Sequence, residues 1–265
     1  MSILHLKAGA KPLSLAFVVA LASVAWAAPT SLVAQGAEFS GETEVGANLS
    51  FGNTEQKVMF ARVGMERGDS VFELSLGSLF SYGEASNSAG EAFVNKRSWE
   101  LSLIGDYLPH GRVSPFVIGR LLSSFEKKID RRWEAGAGAK LTIVDDEITR
   151  FDISAALLAE ATTPRNLEAA PAGSDDILAR WSWRLRASRS LSEGRFTIES
   201  MNFFRPEFRE SDSYTFSSST SAALRLNERV SLKLSFLDEY DSEAVLRGAR
   251  KNNDGQILFS VLSTF

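Results

Sequence analysis

An all-β fold, a transmembrane antiparallel up-and-down β-barrel of about twelve strands of the outer-membrane type, is what this sequence predicts, on three observations. From Glu38 onward, segments of roughly ten residues alternate apolar and polar, each bounded by Gly, Pro, Asn, Asp or Ser. After residue 34 no stretch approaches the roughly 18 apolar residues that a spanning helix needs. The chain closes on Gln256-Ile257-Leu258-Phe259-Ser260-Val261-Leu262-Ser263-Thr264-Phe265, where every odd residue except Ser263 is apolar. Period-2 alternation gives a strand one greasy face.

Ahead of the strands, Lys7 and Lys11 precede the apolar run Leu13 to Val24, followed by Ala25-Trp26-Ala27-Ala28. This reads as a secretory signal peptide, too short and wrongly flanked for a membrane anchor. It is expected to occupy residues 1–34, or to end after Ala27, leaving 35–265 as the barrel domain. With 29 Lys plus Arg against 33 Asp plus Glu, the chain is mildly acidic, which excludes nucleic acid as an expected partner. Zero cysteines in an exported chain remove disulfides, a lipidated N-terminal Cys and thiolate metal sites.

The first strand sets the pattern. Phe39, Gly41, Thr43, Val45, Ala47, Leu49 and Phe51 lie on one side, and Glu38, Ser40, Glu42, Glu44, Gly46, Asn48 and Ser50 on the other. A slip of one residue would invert them all. Segment 56–66 follows, less clearly patterned. Trp99, Leu101, Leu103, Gly105 and Tyr107 then oppose Ser98, Glu100, Ser102, Ile104 and Asp106. In the sixth segment Trp133, Ala135, Ala137, Ala139, Leu141 and Ile143 oppose Arg132, Glu134, Gly136, Gly138, Lys140 and Thr142. In the eighth, Trp181, Trp183, Leu185 and Ala187 oppose Arg180, Ser182, Arg184, Arg186 and Ser188. Segment 195–205 is again weak.

Connections alternate as well. Short turns fall at 67–69, 109–112, 144–147, 192–194 and 227–229, and longer loops at about 84–92, 125–131, 161–178, 206–212 and 241–253, with 52–55 a short exception. Short periplasmic turns and long external loops are the pattern of an even-stranded outer-membrane barrel. Pro109, Pro115, Pro164, Pro171 and Pro206 fall in turns, loops or strand ends, where no ladder donor is lost.

Periodicity alone does not say which face is inside, since a soluble lipocalin-like barrel alternates too. Aromatic placement favours the membrane. Tyr82, Tyr214 and Tyr240 fall at outer strand ends with Trp133 and Trp181, and Tyr107 at the periplasmic end. Two rows of amphipathic rings read as interfacial girdles. Ile257, Phe259, Val261 and the terminal Phe265 resemble the C-terminal signal read by the barrel-assembly machinery, the expected partner in folding.

Gly46-Ala47-Asn48-Leu49-Ser50-Phe51-Gly52-Asn53-Thr54-Glu55, Arg132-Trp133-Glu134-Ala135-Gly136-Ala137-Gly138 and Phe265 together resemble the YdiY-like family of salt-induced outer-membrane proteins, which carry a domain of unknown function. The resemblance covers most of the chain after the leader. It implies an outer-membrane barrel of a Gram-negative envelope and brings no catalytic or ligand residues.

The polar face carries nearly equal numbers of acids and bases, which suits a narrow or closed lumen better than a one-signed porin constriction. The candidate lumen charges are Glu38, Glu42 and Glu44 on the first strand and Arg180, Arg184 and Arg186 on the eighth. They read either as a transverse field for a small solute or as a salt-bridge network that stiffens the barrel. Only two histidines occur, His5 in the leader and His110 in a periplasmic turn, so no imidazole reaches the external lip and no enzyme is expected. No cofactor or metal is expected; Asp175 and Asp176 read as solvated loop acids. The basic stretch 126–132 lies at the outer rim, where lipopolysaccharide phosphates would be met.

The expectation is therefore a monomeric outer-membrane barrel with a narrow or closed, charge-balanced lumen and a structural, stress-related role in the envelope. A narrow channel for small solutes or ions is the first alternative. A soluble periplasmic ligand-binding barrel is the second.

Overall fold

A computed structural model describes residues 38–50, 56–86, 91–166 and 176–265; the expected leader lies outside them. Twelve strands follow in chain order: β1 (Glu38–Ser50), β2 (Gln56–Gly68), β3 (Phe72–Ser86), β4 (Ala92–Tyr107), β5 (Val113–Ser124), β6 (Ile129–Asp145), β7 (Thr149–Pro164), β8 (Leu178–Leu191), β9 (Phe196–Pro206), β10 (Tyr214–Arg225), β11 (Val230–Asp241) and β12 (Asn253–Thr264). Each pairs antiparallel with its sequence neighbours, and β12 pairs with β1 to close the barrel. Full closure matters because an open sheet edge in hydrocarbon would leave its N–H and C=O groups unsatisfied. At the seam the ladder runs from Glu42↔Thr264 to Ala47↔Phe259. Gly41 and Phe265 extend it by exchanging both backbone hydrogen bonds at 2.9 Å.

The alternation sorts the side chains as a membrane barrel requires. Leu74, Leu101, Leu103, Val117, Leu157, Leu185, Leu234, Phe236 and Phe259 point outward and are exposed, while Glu44, Glu134, Asp152, Glu160 and Arg180 are buried inside. A soluble barrel would invert both sets. The outward surface is stable only against lipid, and the protein is a transmembrane β-barrel of the outer-membrane type.

The interior is not wholly polar. Val58, Phe60, Leu158 and Leu258 are buried on the lumen side. Phe60 fits because Gly46 lies directly across the ladder from it, and a Cβ there would collide with the Phe60 ring and the Phe259 carbonyl. Apolar side chains therefore sit among the charges on the lumen side.

Candidate functional site

The periplasmic turns are built by one device used three times. Asp69 Oδ1 accepts from Val71 N and Phe72 N at 2.8 and 2.9 Å. Asp146 Oδ1 accepts from Ile148 N and Thr149 N at 2.9 and 2.7 Å. Asn227 Oδ1 accepts from Arg229 N and Val230 N at 2.9 Å. A short oxygen-bearing side chain thereby satisfies the turn's free amides. The bonds from Phe72 and Val71 hold the Asp69 carboxyl below its ordinary value of 3.8, and those from Ile148 and Thr149 do the same for Asp146. A depressed acid pKa contributes stability that is present above the ordinary value and is lost as pH falls through the lowered one. The amide proton shifts of Val71, Phe72, Ile148 and Thr149 are expected to move with pH below about 4. Arg229 and Val230, held by a side-chain amide that does not titrate, are expected to stay in place.

The strand ends carry the rings. Trp181 lies 6.2 Å from Trp183 and 5.6 Å from Phe208 between ring centroids, and Tyr214 lies 5.6 Å from Phe204 and 5.2 Å from Tyr240. They form a near-continuous outer row from β8 to β11. Trp133 faces outward from the same end of β6, and Tyr82 donates to Glu84 Oε1 at 2.6 Å near the outer end of β3. Tyr107 is exposed at the opposite, periplasmic end of β4. On β12, Ile257, Phe259 and Val261 face outward and are exposed, and the Phe265 ring lies 6.5 Å from Phe39.

Inside the barrel the charges of β1 and β8 pair with near neighbours, whereas Lys127 to Glu239 at 3.0 Å and Arg132 to Asp241 at 3.3 Å bridge from the β6 side to β11. Glu44 takes Arg62 and Lys233 at 3.0 Å each and the Ser260 hydroxyl at 2.6 Å. Arg184 goes to Asp152 at 3.0 Å and Arg186 to Glu199 at 2.9 Å, on the strands either side of β8. The first-strand acids and eighth-strand arginines therefore do not face one another as a free transverse field. Glu42 points inward near the periplasmic end and stays exposed, and Glu38 enters the structure through its backbone pairing with Gly68.

Arg180 belongs to a larger arrangement at the outer mouth. Its Nε lies 3.0 Å from Glu160 Oε1, which Arg132 Nε also approaches at 3.6 Å. Arg132 Nη2 reaches Asp241 at 3.3 Å, and the same Asp241 oxygen receives Arg247 Nη2 at 2.5 Å. Arg247 Nη1 meets Glu243 at 3.1 Å, Ser213 Oγ donates to Glu243 at 2.7 Å, and Arg180 Nη2 returns to Ser213 Oγ at 3.2 Å. The circuit Arg180–Glu160–Arg132–Asp241–Arg247–Glu243–Ser213 is thus closed. It ties β6, β7 and β8 to the loop before β10 and to the loop after β11.

That last loop, 242–252, is folded rather than open. Arg247 N donates to Glu243 O, Gly248 N to Val245 O and Ala249 N to Ala244 O, a helical turn ended by Gly248 at φ +91°. Ala244, Arg247 and Ala249 are buried by it, with Arg247 only 3 % exposed. Sequence reading placed a long loop at 241–253 but not its fold; the signal present was Gly248 just after a polar turn.

Two further interior features escaped the sequence. Arg205 is 7 % exposed and has no carboxylate within 4.0 Å among the described residues; it lies over the Phe203 ring at 4.5 Å. A cleft of about 400 Å³ opens at the outer end between β1, β2, β4 and β12, lined in part by Asn48, Asn95, Lys96 and Asp254. Asn95 reaches it because a register shift opposite Gly83/Glu84 makes it an extra, unpaired residue in β4.

Among solved structures the chain is similar to the NanC porin at 8% identity and TM-score 0.48, covering 84% of this chain and 98% of that one. It is similar to the COG4313 outer membrane channel from Pseudomonas putida F1 at 10% identity and TM-score 0.48, covering 89% and 98%. The KdgM porin aligns at 11% identity and TM-score 0.43, covering 86% and 99%. None of the curated proteins matches the sequence. The family described as "Protein of unknown function, DUF481" matches residues 43–265, and the chain belongs to that family.

Proposed function

We propose that this protein is a structural barrel of the Gram-negative outer membrane whose lumen is closed at its outer mouth, serving the envelope under stress. One observation carries the reading: the circuit through Glu160, Arg132, Asp241 and Arg247 fastens the 242–252 loop over the mouth with every charge matched. Matched, buried charges fix a geometry and leave no net field to draw an ion through. The lipid-facing belt and the two aromatic rows support the outer-membrane address. Salt-induced expression, which the YdiY-like resemblance implies, would fit a wall-stiffening role. The reading includes no catalysis, because the only His outside the leader, His110, sits in a periplasmic turn.

Single-channel recording of the purified full chain in a planar bilayer tests the proposal. No discrete current steps are expected from protein whose folding is confirmed by heat-dependent gel migration. Reproducible steps would overturn it in favour of a narrow channel.

Arg205 is the observation that favours the channel reading. An unpaired guanidinium beside the lumen would prefer anions, so any current found should be anion-selective and lose that preference in Arg205→Met.

A further inference from the structure

The basic stretch at the outer rim is divided by the fold. Lys127 turns inward to meet Glu239 at 3.0 Å, and Arg132 turns inward to Asp241 at 3.3 Å. Lys128 instead joins Arg97 and Arg165 around a single ring. Lys128 Nζ lies 4.7 Å from the Phe125 ring centroid, and the guanidinium carbons of Arg165 and Arg97 lie 5.7 and 5.8 Å from it. Three cations thus converge on one aromatic side chain from β4, from the turn before β6 and from the residue after β7. Among the described residues none of the three has a carboxylate within 4.0 Å. Glu126 is taken by Lys96 at 3.3 Å, and Glu84 accepts from Tyr82.

The backbone sets this up. Phe125 N donates to Arg97 O at 2.9 Å and Arg165 N to Lys128 O at 2.8 Å, which carries both ladders one step beyond the strand ends. Lys128 N donates to Phe125 O at 3.3 Å, closing a turn in which Lys128 has φ +56°, a left-handed conformation that glycine adopts more easily. A lysine kept at such a position points to a use for its side chain. Arg165 Nη2 donates to Ser123 Oγ at 3.3 Å and to Ile129 O at 3.4 Å, which fixes its guanidinium beside the ring. The ring face attracts each cation but carries no charge to cancel three of them.

The level is that of the lipid headgroups. Arg97 pairs across the ladder with Tyr82 of the outer girdle. It lies two residues, about 7 Å along the strand, beyond Trp99, and alternation puts it on the same outward face. Trp99 and Leu121 below it are exposed on the lipid-facing side.

We infer that Arg97, Lys128 and Arg165 form a binding site for a phosphate group of the lipid in the outer leaflet. A phosphate accepts charge-assisted hydrogen bonds from guanidinium and ammonium donors together and supplies the missing counter-charge. The acyl chains of the same lipid would run down past Trp99 and Leu121. The inference rests on the outer-membrane placement and not on whether the lumen is closed.

The purified full chain is reconstituted into phosphatidylcholine vesicles with and without lipid A carrying its phosphates, and melting is followed by heat-dependent gel migration. Lipid A is expected to raise the melting temperature of the wild type, and dephosphorylated lipid A to leave it unchanged. The gain should fall by at least half in Arg97→Gln/Lys128→Gln, which keeps the Arg165 bonds to Ser123 and Ile129, and should vanish when Arg165→Gln is added. Arg229→Gln, at an exposed arginine of a periplasmic turn, is the control and should keep the full gain. No gain in the wild type would overturn the site, and so would an equal gain in the rim variants or an equal loss in the control, which reports general charge. Inorganic phosphate that reproduces the gain without lipid A would make the ligand a free anion and overturn the lipid assignment.

Discussion

Asp241→Ala is expected to lower the unfolding free energy by about 3–5 kcal/mol and to open the barrel to ions. The carboxylate receives Arg132 from across the mouth and Arg247 from the loop above, and all three side chains are buried. Removing it leaves two guanidiniums near each other without their shared counter-charge, in a setting where water does not compensate. Arg247 then has only Glu243, itself part-exposed, and the 242–252 loop loses its anchor. Urea unfolding in lipid vesicles, followed by tryptophan fluorescence, measures the first effect, and planar-bilayer current the second. Arg186→Ala supplies the scale. That pair with Glu199 is about one-third exposed on both sides, and its loss should cost no more than about 1 kcal/mol. A folded Asp241→Ala barrel that stays silent would show that the circuit stabilises the mouth without sealing it.

Phe236→Arg is the second large effect, and it discriminates the membrane from water. Phe236 is 52 % exposed in the middle of β11. In a soluble protein such a surface exchange would move stability by about half a kcal/mol or less in either direction. Against hydrocarbon near the midplane it should cost about 2–4 kcal/mol, falling toward zero near the interfaces. Placing the same arginine at Val230, at the periplasmic end of the strand, should therefore be nearly harmless. Equal effects at both positions would be inconsistent with a lipid-facing belt on β11.

Much of the strand map was legible because alternation is a local property. Trp99-to-Tyr107 and Trp133-to-Ile143 read as strands from their own residues, and the structure pairs both as β4 and β6. The turns at Asp69, Asp146 and Asn227 were equally legible, since each is closed by an oxygen two and three residues ahead of the amides it binds. The two weak segments were weak for physical reasons. β2 places Phe60 inward beside Gly46, and β9 places Met201 and Phe203 inward with Ser200 and Asn202 outward, so each breaks the simple apolar-out rule.

The lumen was legible only as a set of charges. That Glu44, Arg180, Arg184 and Arg186 point inward follows from parity, but which acid meets which base depends on shear between neighbouring strands and on how far each side chain reaches. Arg184 and Arg186 reached the adjacent strands, so of the two readings open for them it is local ion pairs that form. Asp241, Glu243 and Arg247 were read as loop residues because nothing local distinguishes a loop that folds inward from one that stands in solvent.

By itself, the sequence determined that this chain forms a barrel of about twelve strands, because a side-chain period of two gives each strand one greasy face, and the aromatic placement favoured turning that face to lipid. Only the tertiary structure decided how the inside is used. The Arg180-to-Ser213 circuit joins residues from 132 to 247, and the side-chain bonds of Ser218 to Asn202 and Ser200 to Thr220 join β10 to β9. Both depend on contacts between side chains on different strands, which a periodicity within one strand does not encode.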